Sequence, residues 1–146
     1  MSRVLGVDLG TRRIGLALSD PLGIIAGPLT VIERSGDRAA DHDRILSAAR
    51  EAEAGRIVVG LPLSLSTGRP GPAANAVLAE VAELAERAGR YEPSVAVETW
   101  DERFTTVTAE AALAAGGVRG RARRQAVDKV AAAVILQSWL DGRRSR

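Results

Sequence analysis

The 146-residue chain has no cysteine. Disulfides, thiolate catalysis and Cys-ligated zinc or iron–sulfur centres are therefore excluded, and the composition suits a reducing cytosol. Histidine is almost as scarce. His42 stands alone in an Asp-rich stretch, so a histidine-built zinc site or nucleophile triad has little to draw on, and His42 reads as a helix-face residue. No run approaches the roughly 20 apolar residues of a membrane helix. The N-terminus also lacks the apolar core of a signal peptide. The expected location is the cytoplasm, with no membrane partner. Lysine is missing too, except for Lys129: the other basic residues, out of 20, are all Arg, whose planar fork matches phosphate oxygens in pairs.

What is present is ordinary for a folded protein. An apolar content of 46% and a charged content of 26% at this length imply one domain over residues 1–146 with a real core. The net charge of +2 conceals an asymmetry. Residues 119–146 carry eight basic side chains against Asp128 and Asp141, a balance of +6, whereas the first 118 residues balance at −4. A basic C-terminal third beside an acidic remainder is the electrostatic footprint of a nucleic-acid binder. Arg143 to Arg146 fit a solvated tail. Arg119, Arg121, Arg123 and Arg124, placed near Gly116, Gly117 and Gly120, fit a mobile segment that closes over phosphates.

The most informative stretch is Val4 to Asp20. Val4 to Val7 is an uninterrupted apolar run, as in a strand covered on both faces. Asp8 stands at its exit, and Gly10 permits a tight turn. Ile14, Leu16 and Leu18 then alternate with Gly15, Ala17 and Ser19, the period of a strand paired back on the first. A carboxylate at the end of a buried strand is costly unless charge meets it, and a hard cation, Mg²⁺ or Mn²⁺, is a natural partner. Taken alone, such an Asp more often caps its turn.

The remaining pattern alternates strands and helices. A third strand is predicted over Leu29–Ile32, a helix over Asp37–Ala54 stopped by Gly55, and a buried strand over Arg56–Gly60. The Pro/Gly/Ser loop Leu61–Pro72 is a candidate substrate-facing segment. A helix over Ala73–Ala88, a strand over Val95–Trp100, and helices over Thr105–Ala115 and Ala122–Leu140 complete the chain. This order describes an α/β domain with a mixed five-stranded sheet flanked by helices, that of a ribonuclease H-like fold. Two further acids then gain interest. Asp101 leaves the fifth strand as Asp8 leaves the first, at the sheet edge where ligands bind, and alternation lets only one of Asp101 and Glu102 face the site, with Asp101 favoured. Asp128 lies on the margin of a helical stripe made by Val127, Val130, Ala131, Val134 and Ile135. Trp100 is either core or a base-stacking surface.

Four segments, Gly6–Asp20, Val58–Pro62, Asp101–Thr106 and Val127–Gln137, together resemble the YqgF (RuvX) family, in family order and across essentially the whole chain. The resemblance implies a ribonuclease H-like fold and nucleolytic maturation of the 5′ end of pre-16S ribosomal RNA in the bacterial cytoplasm. Holliday-junction resolvase activity is the family's other description. It also implies Asp8, Asp101 and Asp128 as ligands of catalytic Mg²⁺ or Mn²⁺, with Glu102 an alternate and Arg103 a phosphate or structural contact. Compared with the true resolvases, the chain has Gly60-Leu61-Pro62 in place of a catalytic Glu, and only one acid on its last helix. That weakens the case for DNA junctions more than for phosphodiester cleavage in general. The expected mechanism is two-metal hydrolysis with the ions about 4 Å apart, and Arg12, Arg69, Arg103, Arg119, Arg121, Arg123 and Arg124 meeting nucleic acid. The expected partner is precursor rRNA, within pre-ribosomal particles or free, with branched DNA as a further substrate and a homodimer left open. The rival reading from another class is a non-catalytic RNA-binding or transcription-associated module on the same fold.

Overall fold

The computed structural model describes residues 2–63, 69–104 and 120–144. The elements are β1 (Arg3–Leu9), β2 (Arg13–Ser19), β3 (Ala26–Glu33), α1 (Arg38–Glu51), β4 (Ala54–Leu61), α2 (Pro72–Gly89), β5 (Ala96–Asp101), a 3₁₀ turn (Glu102–Phe104) and α3 (Gly120–Arg144). The expected helix over Thr105–Ala115 lies outside the described residues. One mixed sheet has the order β3-β2-β1-β4-β5. β1 pairs antiparallel with β2 and parallel with β4, β2 pairs antiparallel with β3, and β4 parallel with β5.

Several boundaries differ from those expected. Helix α1 starts where Asp37 caps it, its carboxylate accepting from the Ala40 amide, but it ends at Glu51. The left-handed turn falls on Glu53, at φ 58°, and Gly55 already lies in β4. Strand β3 begins three residues before Leu29. Its start is tied to α3, since Gln137 accepts from the Ala26 amide at 2.8 Å and donates to the Ile24 carbonyl at 2.9 Å. Of the predicted loop over Leu61–Pro72, residues 64–68 fall outside the described set.

Strand alternation sorts the apolar residues into two layers. Leu5, Val7 and Leu9 of β1, Ile14 and Leu16 of β2, and Ile57 and Val59 of β4 pack under Ile45, Leu46 and Ala49 of α1 and Leu84 and Ala88 of α2. The opposite parity, Val4, Ala17 and Val58, packs under Ala132, Ala133, Leu136, Trp139 and Leu140 of α3. The covered stripe of α3 is thus rotated from the expected one: Ala132, Ile135 and Leu136 are fully buried, whereas Val127, Val130 and Val134 are half-buried. Asp128 precedes Ala132 by one turn, so it sits over the sheet itself and not on the margin of the stripe.

Glycine decides how closely α3 approaches. A Cβ on Gly15 would lie 2.1 Å from the Asp128 carbonyl oxygen, one on Gly6 2.7 Å from the Leu136 Cβ, and one on Gly60 2.5 Å from the Ile135 Cδ1. The nearest atom at Gly15 is backbone, which cannot rotate away, so Gly15→Ala must push the first turns of α3 off the sheet. Thermal unfolding of Gly15→Ala should show a loss of roughly 1–3 kcal/mol, the usual range for overpacking, and an unchanged melting point would mean the helix seats elsewhere.

Candidate functional site

The C-terminal end of β1 brings Asp8 onto the α3 side of the sheet, opposite Gly15. Asp8 is partly covered, and burial first, then the Asp128 charge, pushes its carboxyl up to about 6. Asp128 itself is held by Arg13, whose Nε donates to it at 2.5 Å. Arg13 alternates with Gly15 and Ala17 along β2 and so shares the face that α3 covers. Its pairing with Asp128 was not foreseen from the sequence, although that alternation is visible there.

At β5 the structure separates the two acids. Gly60 pairs with Trp100 and Leu61 with Asp101. Val97 packs into the α1–α2 layer and Trp100 into the α3 layer, so parity gives Asp101 to the former side and carries Glu102 to the side of Asp8. The Glu102 carboxylate lies against Gly60, where a Cβ would come within 3.1 Å of its Oε1. Burial pushes Glu102 up to about 7, with the charges of Asp8 and then Asp101 adding to the effect. Asp101 behaves oppositely. It accepts from the Arg103 amide and Nε, each at 2.8 Å, and the Arg103 guanidinium holds it below the usual carboxylate range despite some desolvation. The structure therefore couples Asp8 to Asp128 and to Glu102, and gives Asp101 to Arg103.

The other candidates are more scattered. Arg12 is exposed on the turn after Asp8, and Arg69 is exposed just before α2. Arg121, Arg123 and Arg124 are exposed in the first turns of α3, helical where a mobile segment was expected. Arg121 reaches Glu33 at 3.4 Å, and Gln125 reaches the same carboxylate at 3.2 Å. Arg119 lies outside the described residues. Trp100 is half-buried against the α3 layer: its indole N–H donates to Ser138 at 2.8 Å, and a Cβ on Gly142 would touch its ring at 2.9 Å. A ring so wedged against α3 is not offered to a base. His42 is likewise no helix-face residue, since it is buried and hydrogen-bonded to Glu80 at 2.8 Å.

An all-oxygen set of Asp8, Glu102 and Asp128 suits Mg²⁺ or Mn²⁺ in kind, and the raised carboxyls of Asp8 and Glu102 would gain from a cation. The fit is incomplete as the side chains stand. Among the described residues no three acidic or histidine side chains are grouped to hold an ion. Arg13 occupies Oδ2 of Asp128, which leaves Oδ1 as the oxygen to face an ion.

With this geometry in view, comparison with known proteins is decisive for the family. The family model described as "RuvX: Holliday junction resolvase" matches residues 2–142. The chain belongs to the RuvX family. A relative from Nocardia farcinica, named "Putative pre-16S rRNA nuclease", is 47% identical over 146 residues, covering 97% of this chain and 78% of that protein. A relative of the same name from Mycolicibacterium smegmatis is 42% identical over 145 residues, covering 98% and 82%. Among solved structures, T. thermophilus RuvC in complex with Holliday junction substrate aligns with TM-score 0.58 at 18% identity, over 99% of this chain and 97% of that one. The yeast mitochondrial Holliday junction resolvase Ydc2 aligns with TM-score 0.58 at 12% identity, over 95% and 78%. These likenesses establish the ribonuclease H-like fold of the RuvX-family chain. No helix among the described residues is long and apolar enough to cross a membrane.

The raised carboxyls carry a signed consequence for stability. Asp8 titrates above its unfolded value of 3.8, so between about pH 4 and 6 the folded chain binds more protons than the unfolded one. Its stability then falls as pH rises through that window. In EDTA, Asp8→Asn should melt above wild type at pH 8 by the equivalent of roughly 1–3 kcal/mol, and the difference should vanish near pH 4. Melting curves of both proteins across pH 4–8 measure this directly, and equal midpoints at pH 8 would contradict it.

Proposed function

We propose that this RuvX-family chain is a metal-dependent nuclease that hydrolyses phosphodiester bonds at the 5′ end of precursor 16S rRNA. The observation that carries this reading is the convergence of Asp8, Glu102 beside Gly60, and the α3 turn bearing Asp128 on one face of the sheet at the C-terminal end of β1. Such crowded carboxylates, costly to the fold, are the kind of arrangement that functional sites maintain. The names of the relatives supply the substrate. Asp8, Glu102 and Asp128 would hold Mg²⁺ or Mn²⁺, with Asp101 brought in when Arg103 turns to a phosphate. The bound cation supplies an acidified water and charge for the leaving oxygen. The protein's own contribution is to fix Asp8 on the central strand and to keep Glu102 against Gly60 of the neighbouring strand. Arg13, beside Asp128, would serve as a counter-charge within the site. Arg12, Arg69, Arg103, Arg119, Arg121, Arg123 and Arg124 would meet the nucleic-acid backbone.

A second reading, cleavage of four-way DNA junctions, is favoured by the family description. Both are decided by one assay. Purified protein is incubated with a precursor 16S fragment and with a four-way junction, in Mg²⁺, Mn²⁺ or EDTA. Cleavage should require the cation, and Asp8→Asn should lower it at least a hundred-fold. Glu102→Gln should cost more than Asp101→Asn; the reverse order would make Asp101 the ligand. Binding without cleavage under every condition would favour a non-catalytic RNA-binding module.

The arginines make a separate prediction. Replacing Arg119, Arg121, Arg123 and Arg124 by Ala should weaken RNA binding and flatten the slope of log affinity against log salt by roughly 0.7 per lost phosphate contact, as for single strands. Stability should change little, because exposed ion pairs such as Arg121–Glu33 contribute at most about 1 kcal/mol. RNA affinity across a salt series tests this, and an unchanged slope would move the substrate path to the 61–72 loop.

A further inference from the structure

Beneath the turn that follows Asp8, on the α1–α2 side, lies a group of buried charges that the proposed chemistry does not use. Arg34 follows β3. Its amide donates to the Arg12 carbonyl at 3.0 Å, and its Nε donates to the Gly10 carbonyl at 2.8 Å. The other two guanidinium nitrogens grip both oxygens of Glu80 on α2, each at 2.9 Å. Glu80 is only 6% exposed, and its Oε2 also meets His42 Nε2 of α1, a residue 1% exposed. Arg38 approaches from outside, 3.9 Å from Glu80 and 2.9 Å from Glu83.

A buried ion network of this kind is a poor way to gain stability, since apolar residues of similar volume usually serve as well or better. What apolar residues cannot do is hold a backbone carbonyl. Here one side chain holds Gly10, and the same residue's amide holds Arg12, so both ties end on the turn whose first residue is Asp8. The turn has little slack. The Gly10 amide donates to the Asp8 carbonyl at 3.1 Å, and a Cβ on Gly10 would lie 2.5 Å from the Arg13 carbonyl oxygen.

We propose that Arg34 is a positioning residue for Asp8: its guanidinium, locked by Glu80 and His42, fixes the Gly10 carbonyl and so the direction in which the Asp8 carboxylate leaves β1. This rests on the reading of Asp8 as part of the nuclease site. Burial raises the Glu80 carboxyl, but hydrogen bonds from Arg34 and His42 outweigh that and hold it below the usual range. The lock therefore stays ionised at neutral pH.

The test compares wild type with Arg34→Lys, Arg34→Met and Asp8→Asn. Lys keeps a positive charge beside Glu80 but lacks the planar fork that spans a carboxylate and a carbonyl at once. If the network serves only to neutralise Glu80, Lys should restore what Met loses. If Arg34 positions Asp8, Lys should fail like Met: kcat for cleavage should fall about ten-fold or more with KM within two-fold of wild type. The Gly10 amide should then exchange hydrogen at least ten-fold faster, while the Leu5 and Val7 amides keep their protection. An Arg34→Lys protein with wild-type kcat and wild-type Gly10 exchange would overturn the positioning role while Asp8→Asn remains inactive. An Asp8→Asn protein that cleaves like wild type would instead overturn the nuclease reading of Asp8, and the positioning role with it.

Discussion

The rest of the structure depends on how closely α3 lies on the sheet. Gly6, Gly15 and Gly60 remove side chains from the sheet at three positions on three adjacent strands, and Leu136, the Asp128 backbone and Ile135 of α3 lie over them. The gain is positional. The backbone of Asp128 rests on Gly15, the register partner of Asp8, so a helix residue some 120 positions away in sequence is delivered beside the first strand's carboxylate. A larger residue at any of the three glycines would fill the gap with apolar contact and separate the acids.

That closeness also creates the site's electrostatic tension. Asp8 is raised by burial and by Asp128, and Glu102 by burial and by Asp8. Asp128 and Asp101 each have an arginine, Arg13 and Arg103, as counter-ion. The arrangement divides the acids by their charged neighbours. Raised carboxyls such as those of Asp8 and Glu102 cost the fold stability as pH rises through their titration.

Much of this was legible in the sequence. The uninterrupted apolar run ending at Asp8, the alternation after Gly10 and the helix-period stripes give five strands and the order of elements, because period and burial are local properties. The choice between Asp101 and Glu102 was not legible. It depends on which face of the sheet each residue occupies, and that is set by the pairing of Gly60 with Trp100 and by the strand giving way to a 3₁₀ turn at Glu102. Likewise the stripe of α3 reads from sequence as centred on its valines, yet the helix rolls toward Ala132, Ile135 and Leu136, because Gly6 and Gly15 leave room for the Leu136 side chain and the Asp128 backbone against the sheet. Trp100 and His42 were ambiguous for a different reason. Each has a polar edge that could serve a ligand or a neighbour, and the neighbours, Ser138 and Glu80, lie 38 residues away in both cases.

The two faces of the sheet therefore meet at one turn. On the α3 side, glycine removes bulk so that a carboxylate can approach Asp8. On the other, Arg34 and Glu80 add buried charge so that the backbone after Asp8 cannot move away. Neither device stabilises the fold well by itself: glycine in a strand is entropically unfavourable, and buried ion pairs seldom repay their desolvation. Their convergence on residues 8–15 is difficult to account for by folding alone. It is what a site needs if a carboxylate must be held rigidly in a place where its charge is unwelcome.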